Sequence, residues 1–130
     1  MNELLNACKQ AIKNSYAPYS GFRVAAAVKT EDGKVYTGVN IENASYGLTV
    51  CAERVAVFKA VSSGSRKIIE VMVYVEDDPP APPCGACLQV IAEFSENPRI
   101  YMVSKTGRVI TSTLDELLPL RFSGDKLRGK

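Results

Sequence analysis

The run Ile68-Ile-Glu-Val-Met-Val-Tyr-Val75 constrains the fold more than any other stretch of the chain. It is rich in β-branched residues and shows little polar alternation, which predicts a central strand buried on both faces. Such a strand needs a covering layer on each side, and the flanking segments can supply both. Leu4, Leu5, Ala7, Cys8, Ala11 and Ile12 recur at helical spacing and predict a first amphipathic helix. Pro18, within Ser15-Tyr-Ala-Pro-Tyr-Ser-Gly21, ends that helix, because proline restricts itself and its predecessor.

Phe22 to Val28 reads as a buried strand, Glu31-Asp-Gly-Lys34 as a hairpin turn, and Lys34 to Asn40 as the returning strand. A helix is predicted from about Cys51 to Ser62, closed by Ser63-Gly64-Ser65 with the glycine suited to a left-handed cap. The proline cluster over residues 78–83 excludes helix and central strand and forces an extended approach to Cys84. A helix from Gly85 to Phe94 follows, then strands near Arg99–Val103 and Arg108–Thr111 around a Lys105-Thr-Gly107 turn. Ser112 or Thr113 caps a short last helix, Leu114 to Leu118, which Pro119 stops. The order α-β-β-α-β-α-β-β-α predicts an α/β fold. Its form is a three-layer α/β/α sandwich with a mixed five-stranded sheet and helices on both faces. At 130 residues the whole chain, 1–130, reads as one domain.

A formal net charge of +2 is too small for the electrostatic footprint of a nucleic-acid binder. The basic group Arg121, Lys126, Arg128 and Lys130 reads as a solvated tail. No apolar run approaches the ~20 residues that span a bilayer. The start, Met1-Asn-Glu-Leu-Leu5, lacks the pattern of a secretory signal, so a cytoplasmic location with reduced thiols is expected. Four cysteines without an export signal favour metal binding over a disulfide framework.

The chain has no histidine, which removes the commonest general base, the commonest zinc ligand and every Ser/His or Cys/His dyad. Cys51 opens one predicted helix, and Cys84 and Cys87 bracket the first turn of another. Helix starts offer free amides and partial positive charge, which favour thiolates. If the two starts face each other, three thiolates suit one tetrahedral Zn²⁺ with the fourth position left for water. Glu53 would then serve as proton shuttle, provided Cys51 sits at the helix lip with non-helical geometry. Arg54 reads either as a donor to the ligating sulfurs or as a surface ion pair. Two other readings use the same cysteines. A Cys84-Gly-Ala-Cys87 pair alone also fits a dithiol redox site, and Cys8 could complete a structural four-cysteine zinc site. Cys8 on its own reads as a small buried hydrophobe. The combination of Cys51-Ala-Glu53 with Pro83-Cys84-x-x-Cys87 matches the zinc-deaminase signature, with cysteine in place of the usual histidine.

Over nearly its whole length the sequence resembles the small homotetrameric, zinc-dependent cytidine deaminases. The resemblance runs through Tyr19-Ser-Gly-Phe-Arg-Val24 and the long block Gly38-Val-Asn-Ile-Glu-Asn-Ala-Ser-Tyr-Gly-Leu-Thr-Val-Cys-Ala-Glu-Arg54. It continues at Pro83-Cys-Gly-Ala-Cys87 with Gln89-Val-Ile91, and ends in Leu117-Leu-Pro119 with Phe122. It implies hydrolysis of cytidine or deoxycytidine to the uracil nucleoside and ammonia, by zinc-bound hydroxide attack at C4 with Glu53 moving the protons. It implies Cys51, Cys84 and Cys87 as ligands to one Zn²⁺ per subunit, Asn40 and Glu42 on the sugar 3′-hydroxyl, and Phe22 in the base pocket. The Ala52 backbone would address the cytosine carbonyl and amide edge. Ala44 and Tyr46 would reach a neighbouring subunit's sugar, and Phe122 would stack on a neighbour's base, so that active sites are shared within a homotetramer. The partner implied is a small nucleoside, neither a nucleic-acid polymer nor a membrane. Leu88 stands where relatives commonly carry arginine, which leaves Arg54 and the helix dipoles to offset the thiolate charge. Ala25-Ala-Ala27 replaces a usual Gly-Ala-Ala. The nearest alternative substrate is a modified cytosine nucleoside such as blasticidin S. The Asn40/Glu42 pair and Phe122 favour the unmodified one.

Overall fold

The computed structural model describes residues 1–127, with Lys126 described by its backbone alone. The predicted tail residues Arg128 and Lys130 lie outside the described residues. Among the described residues, five strands form one sheet in the order β2-β1-β3-β4-β5. The helices are α1 (Asn2–Ala11), α2 (Ala52–Ser62), α3 (Gly85–Glu93) and α4 (Leu114–Leu117). The strands are β1 (Val24–Thr30), β2 (Val35–Val39), β3 (Ile68–Val75), β4 (Ser95–Ser104) and β5 (Val109–Thr113). β3 runs parallel to β4, and the other pairings are antiparallel.

β3 is the strand its composition predicts, with Val71, Met72 and Val75 fully buried. Successive residues of a strand face opposite ways, so the sheet divides the core in two. Ala26, Val28, Val71, Ile100 and Met102 face α2, α3 and α4, against Ala52, Ala56, Leu88, Ile91 and Leu114. Ala25, Ala27, Met72, Tyr74 and Val103 face α1, against Leu4, Cys8 and Ile12. This is the expected three-layer α/β/α sandwich.

Both crossover helices return antiparallel to the strands they follow. β2 and β3 each pair antiparallel with β1 and so point the same way. The N-termini of α2 and α3 therefore meet at the carboxyl ends of β2 and β3, the edge where open α/β sheets place their ligands. Gly64 ends α2 at φ +97°, a left-handed conformation that costs glycine little. The proline segment before α3 is anchored at its start. Asp78 accepts hydrogen bonds from Thr106 Oγ1 and Arg108 Nη1, both at 3.1 Å, at the β4–β5 turn.

Several boundaries differ from the sequence reading. β1 starts at Val24, which leaves Phe22 and Arg23 in the loop before it. β4 starts at Ser95, four residues before the expected Arg99, because a register shift between Ile68 and Glu70 accommodates Asn97-Pro98. A bulge of this kind lets a strand carry proline without breaking the ladder beyond it. β5 spans Val109–Thr113, beyond the expected Thr111. Thr113, the second of the two candidate caps, forms a capping box with Glu116.

Candidate active site

Cys51 is the N-cap of α2, with φ −71° and ψ 153°, extended rather than helical. That geometry places its sulfur at the helix lip while Glu53, two residues on, faces the same cavity. Cys84 caps α3 in the same way, its Sγ accepting from the Cys87 amide at 3.5 Å. The sulfurs of Cys51, Cys84 and Cys87 all lie within 4.8 Å of one another, and those of Cys84 and Cys87 are 3.5 Å apart. Three thiolates bound ~2.3 Å from a tetrahedral Zn²⁺ stand roughly 3.8 Å apart, so this trio fits such an ion.

The electrostatics favour a thiolate in the trio. Cys51 is held down at about 5, first by the hydrogen bond from the Cys87 thiol and then by Arg54, against the opposing effect of burial. Cys87, which donates that bond and is buried, is pushed up. Arg54 Nη2 donates to Cys51 Sγ at 3.4 Å. Of its two sequence readings, the geometry fits the donor to sulfur. Its Nε is buried without a hydrogen-bond partner among the described residues. Leu88 points elsewhere, into the core shared by α2 and α3.

Glu53 is 5% exposed. Burial pushes its carboxyl up to about 7, although its own amide and Arg54 pull the other way. With Cys51 and Cys84 it lines a cavity of about 210 Å³, walled by Phe22, Val24, Asn40, Thr49, Ala52, Val73, Ala81 and Pro82. The Asn40 amide is held from three sides. Its Oδ1 accepts from the Ser15 hydroxyl and from the Val24 amide at 3.0 Å, and its Nδ2 donates to Phe22 O at 2.7 Å. One Nδ2 hydrogen remains for a ligand.

Glu42 does not line this cavity. It lines an adjoining one of about 350 Å³ with Tyr19, Ser20, Tyr46 and Thr49, and Thr49 belongs to both. Ala44, Tyr46 and Phe122 are likewise absent from the wall around Glu53 and are exposed. Tyr46 stands edge-on to Tyr19, ring centres 6.0 Å apart. Phe122 lies beyond α3, its carbonyl accepting from Gln89 Nε2 at 2.8 Å. Cys8 lies across the sheet from the sulfur trio, fully buried on the sheet-facing side of α1, and cannot complete a four-cysteine site.

The sequence model of the cytidine and deoxycytidylate deaminase zinc-binding region matches residues 1–104, a span containing all three clustered cysteines and Glu53. The chain belongs to the cytidine and deoxycytidylate deaminase family. It is 45% identical over 125 residues to the cytidine deaminase of Halalkalibacterium halodurans, covering 95% of both chains. It is 44% identical over 128 residues to that of Sporosarcina psychrophila, covering 98% of this chain and 94% of the other. The crystal structure of cytidine deaminase from Burkholderia pseudomallei superposes with a TM-score of 0.89 at 43% identity, covering 93% of this chain and 98% of that one.

Zinc is the cofactor that this deaminase's matched region and its donor set both indicate, and the sulfur trio is the cluster that could hold it. Thr49, Val73, Ala81 and Pro82 also line the deaminase cavity and were not singled out from the sequence. The prolines were legible only as chain stiffeners. Nothing in their spacing says that one of them becomes a wall. Among the described residues, no helix is long and apolar enough to cross a membrane.

Proposed function

We propose that this chain hydrolyses cytidine and deoxycytidine to uridine and deoxyuridine, releasing ammonia. One observation carries the reading. A buried carboxyl shares a small, mostly apolar cavity with an aromatic residue, the Asn40 amide and two cysteines, whose sulfurs converge with that of Cys87. When bound by Cys51, Cys84 and Cys87, zinc supplies a Lewis acid that acidifies a water for attack on an electron-poor ring carbon. Glu53 would accept one proton of that water and place it on ring N3, then take the remaining proton from the new 4-hydroxyl and pass it to the departing 4-amino group, so one carboxyl serves each proton step. The balance is simple: water enters, and the C4–N bond breaks with loss of ammonia.

The remaining residues bind and orient. Phe22 packs against the base, and the Ala52 backbone meets the cytosine carbonyl and amide edge. Asn40 offers its free Nδ2 hydrogen, and Glu42 a carboxylate oxygen, to the sugar 3′-hydroxyl. Arg54, donating to Cys51, offsets part of the thiolate charge that makes the site a weak acid.

The exposure of Ala44, Tyr46 and Phe122 supports an assembly. Tyr46 is 75% and Phe122 58% exposed, and Leu48 and Leu120, two residues from each along the chain, are 65% and 95% exposed, so apolar surface gathers in both segments. In a homotetramer, Ala44 and Tyr46 would reach a neighbour's sugar and Phe122 a neighbour's base. Residues 1–130 act as one catalytic domain in a reducing cytoplasm, on a free nucleoside rather than a polymer.

Incubating the purified protein with cytidine, with and without a chelator, tests the reading. The absorbance shift to uridine and ammonia release are expected without chelator and abolished with it. No ammonia from the zinc-loaded protein would overturn it. Sedimentation should show a tetramer at assay concentration, whereas active monomers would exclude shared sites.

A further inference from the structure

The loop before β1 lies along the segment after β2. Tyr16 N donates to Asn40 O at 3.0 Å, and Glu42 N returns a bond to Tyr16 O at 2.9 Å. Beyond this short ladder the loop turns back over the Glu42 side chain. Glu42 Oε1 accepts the amides of Tyr19 at 2.9 Å and Ser20 at 3.1 Å. Its other oxygen, Oε2, accepts from the Ser20 hydroxyl. The same hydroxyl accepts the Phe22 amide at 3.0 Å. A serine hydroxyl has one hydrogen and two lone pairs, so the bond it accepts from Phe22 leaves its hydrogen free for Glu42.

We propose that Ser20 is a positioning residue, whose hydroxyl joins the Phe22 backbone to the Glu42 carboxylate and thereby fixes the sugar-binding group relative to the base wall. The inference rests on the reading that Glu42 receives the sugar 3′-hydroxyl. Three features support it. Phe22 lines the cavity of Glu53, whereas Glu42 lines the adjoining one, so their separation is that between base and sugar. Ser20 bridges the two directly. The bridge also acts on the carboxylate itself. Ser20's hydroxyl is the first cause holding Glu42 below the usual carboxylate range, helped by the amides of Ser20 and Tyr19. A carboxylate already ordered and ionised accepts a ligand hydroxyl without first having to be arranged.

Replacing Ser20 by alanine removes both bonds while leaving the two amide donors on Oε1. Glu42 is then held through Oε1 alone and can pivot about it, while Phe22 stays anchored through its carbonyl, which accepts from Asn40 Nδ2. Kinetics with cytidine and 3′-deoxycytidine test this. Ser20→Ala should raise KM for cytidine about five- to ten-fold, the net worth of one ordinary hydrogen bond, with kcat changed by less than about two-fold. KM for 3′-deoxycytidine should change by less than about two-fold, since the arranged group has no partner there. Ser20→Thr, which keeps a hydroxyl, should stay near the parent protein. A loop that merely supports the fold would raise both KM values together. Zinc content and thermal midpoint establish that each variant is folded. Should the alanine variant fail to fold, Ser20→Gly removes the same hydroxyl and reads the same comparison.

Unchanged cytidine KM in Ser20→Ala, equal loss for both nucleosides, or a threonine variant as impaired as alanine would each overturn the proposal. Glu42→Gln separates its failure from that of the underlying reading. If Glu42→Gln discriminates the two nucleosides and Ser20→Ala does not, the serine's role alone is refuted. If Glu42→Gln treats both alike, the sugar contact itself falls, and the proposal with it.

Discussion

A Cβ on Gly38 would overlap the carbonyl oxygen of Ala52. It would also strike the amide of Ala56 and come within 2.9 Å of the Val55 Cβ. Gly38 lies in β2, paired with Ala26 of β1, and the first turns of α2 rest directly on its bare backbone. Those turns carry the Cys51 cap and Glu53. The approach of helix to sheet thus sets where the site's first sulfur and its carboxyl lie.

Gly38→Ala should therefore lift α2 off the sheet. Overpacking against backbone costs about 1–3 kcal/mol, more where nothing flexible can yield. A lowered thermal midpoint, weaker zinc retention under a chelator and reduced turnover should appear together. A variant with the parent's midpoint and zinc affinity would show that the helix accommodates the methyl.

Glu53→Gln should keep the fold and the zinc but lose turnover. The amide is close in size and sits in the same buried pocket, but it cannot take a proton from water. General acid–base help of this kind is worth ~10²–10⁴ in rate, and one group serving several steps should place the loss at or beyond the upper end. Steady-state kinetics with metal analysis on the same preparation separate the two effects. Activity within ten-fold of the parent would remove Glu53 from the proton path.

Cys8 gives the opposite expectation. It is fully buried among Leu4, Ile12 and Met72, on the far side of the sheet from the trio. Cys8→Ser should leave one zinc per chain and normal kcat, while burying a hydroxyl costs about 1–3 kcal/mol of stability. Loss of metal in that variant would revive the four-cysteine site.

Burial pushes the Cys8 thiol from 9.0 up to about 12 in the folded chain. The folded state therefore holds this proton where the unfolded chain releases it. Its contribution to stability is whole below pH 9 and declines as pH rises toward 12. Unfolding free energies measured across that window should fall less steeply for Cys8→Ala than for the parent, because the variant lacks this titration. Parallel slopes would contradict it.

The sequence foretold more of the chemistry than of the walls around it. Cys51, Glu53, Cys84 and Cys87 were legible because few chemistries can be built from three thiols and a carboxyl in a chain without histidine. Their placement at helix starts followed from periodicity, and β3 from its composition. Contacts made by loops were not legible. Asn40 and Glu42 were paired as sugar contacts, but the structure divides them between two adjoining cavities, since the loop over residues 15–22 holds each in a different way. Ser15 and Ser20 clamp those two side chains, whereas the sequence pattern gives Ser15 as part of a helix-breaking segment and Ser20 only as one residue of the resembling stretch, with no role for either. The expected β4 begins only at Arg99, whereas the strand itself starts before Asn97-Pro98, since a register shift is a tertiary solution that local pattern does not announce.

The division of the interior by the sheet has a practical consequence. The sulfurs and Glu53 belong to the α2–α3 side, whereas α1 covers a separate reservoir of apolar contacts. Hardening this protein against heat can therefore proceed beneath α1, by exchanges that keep side-chain volume there, with the reaction chamber left as it is.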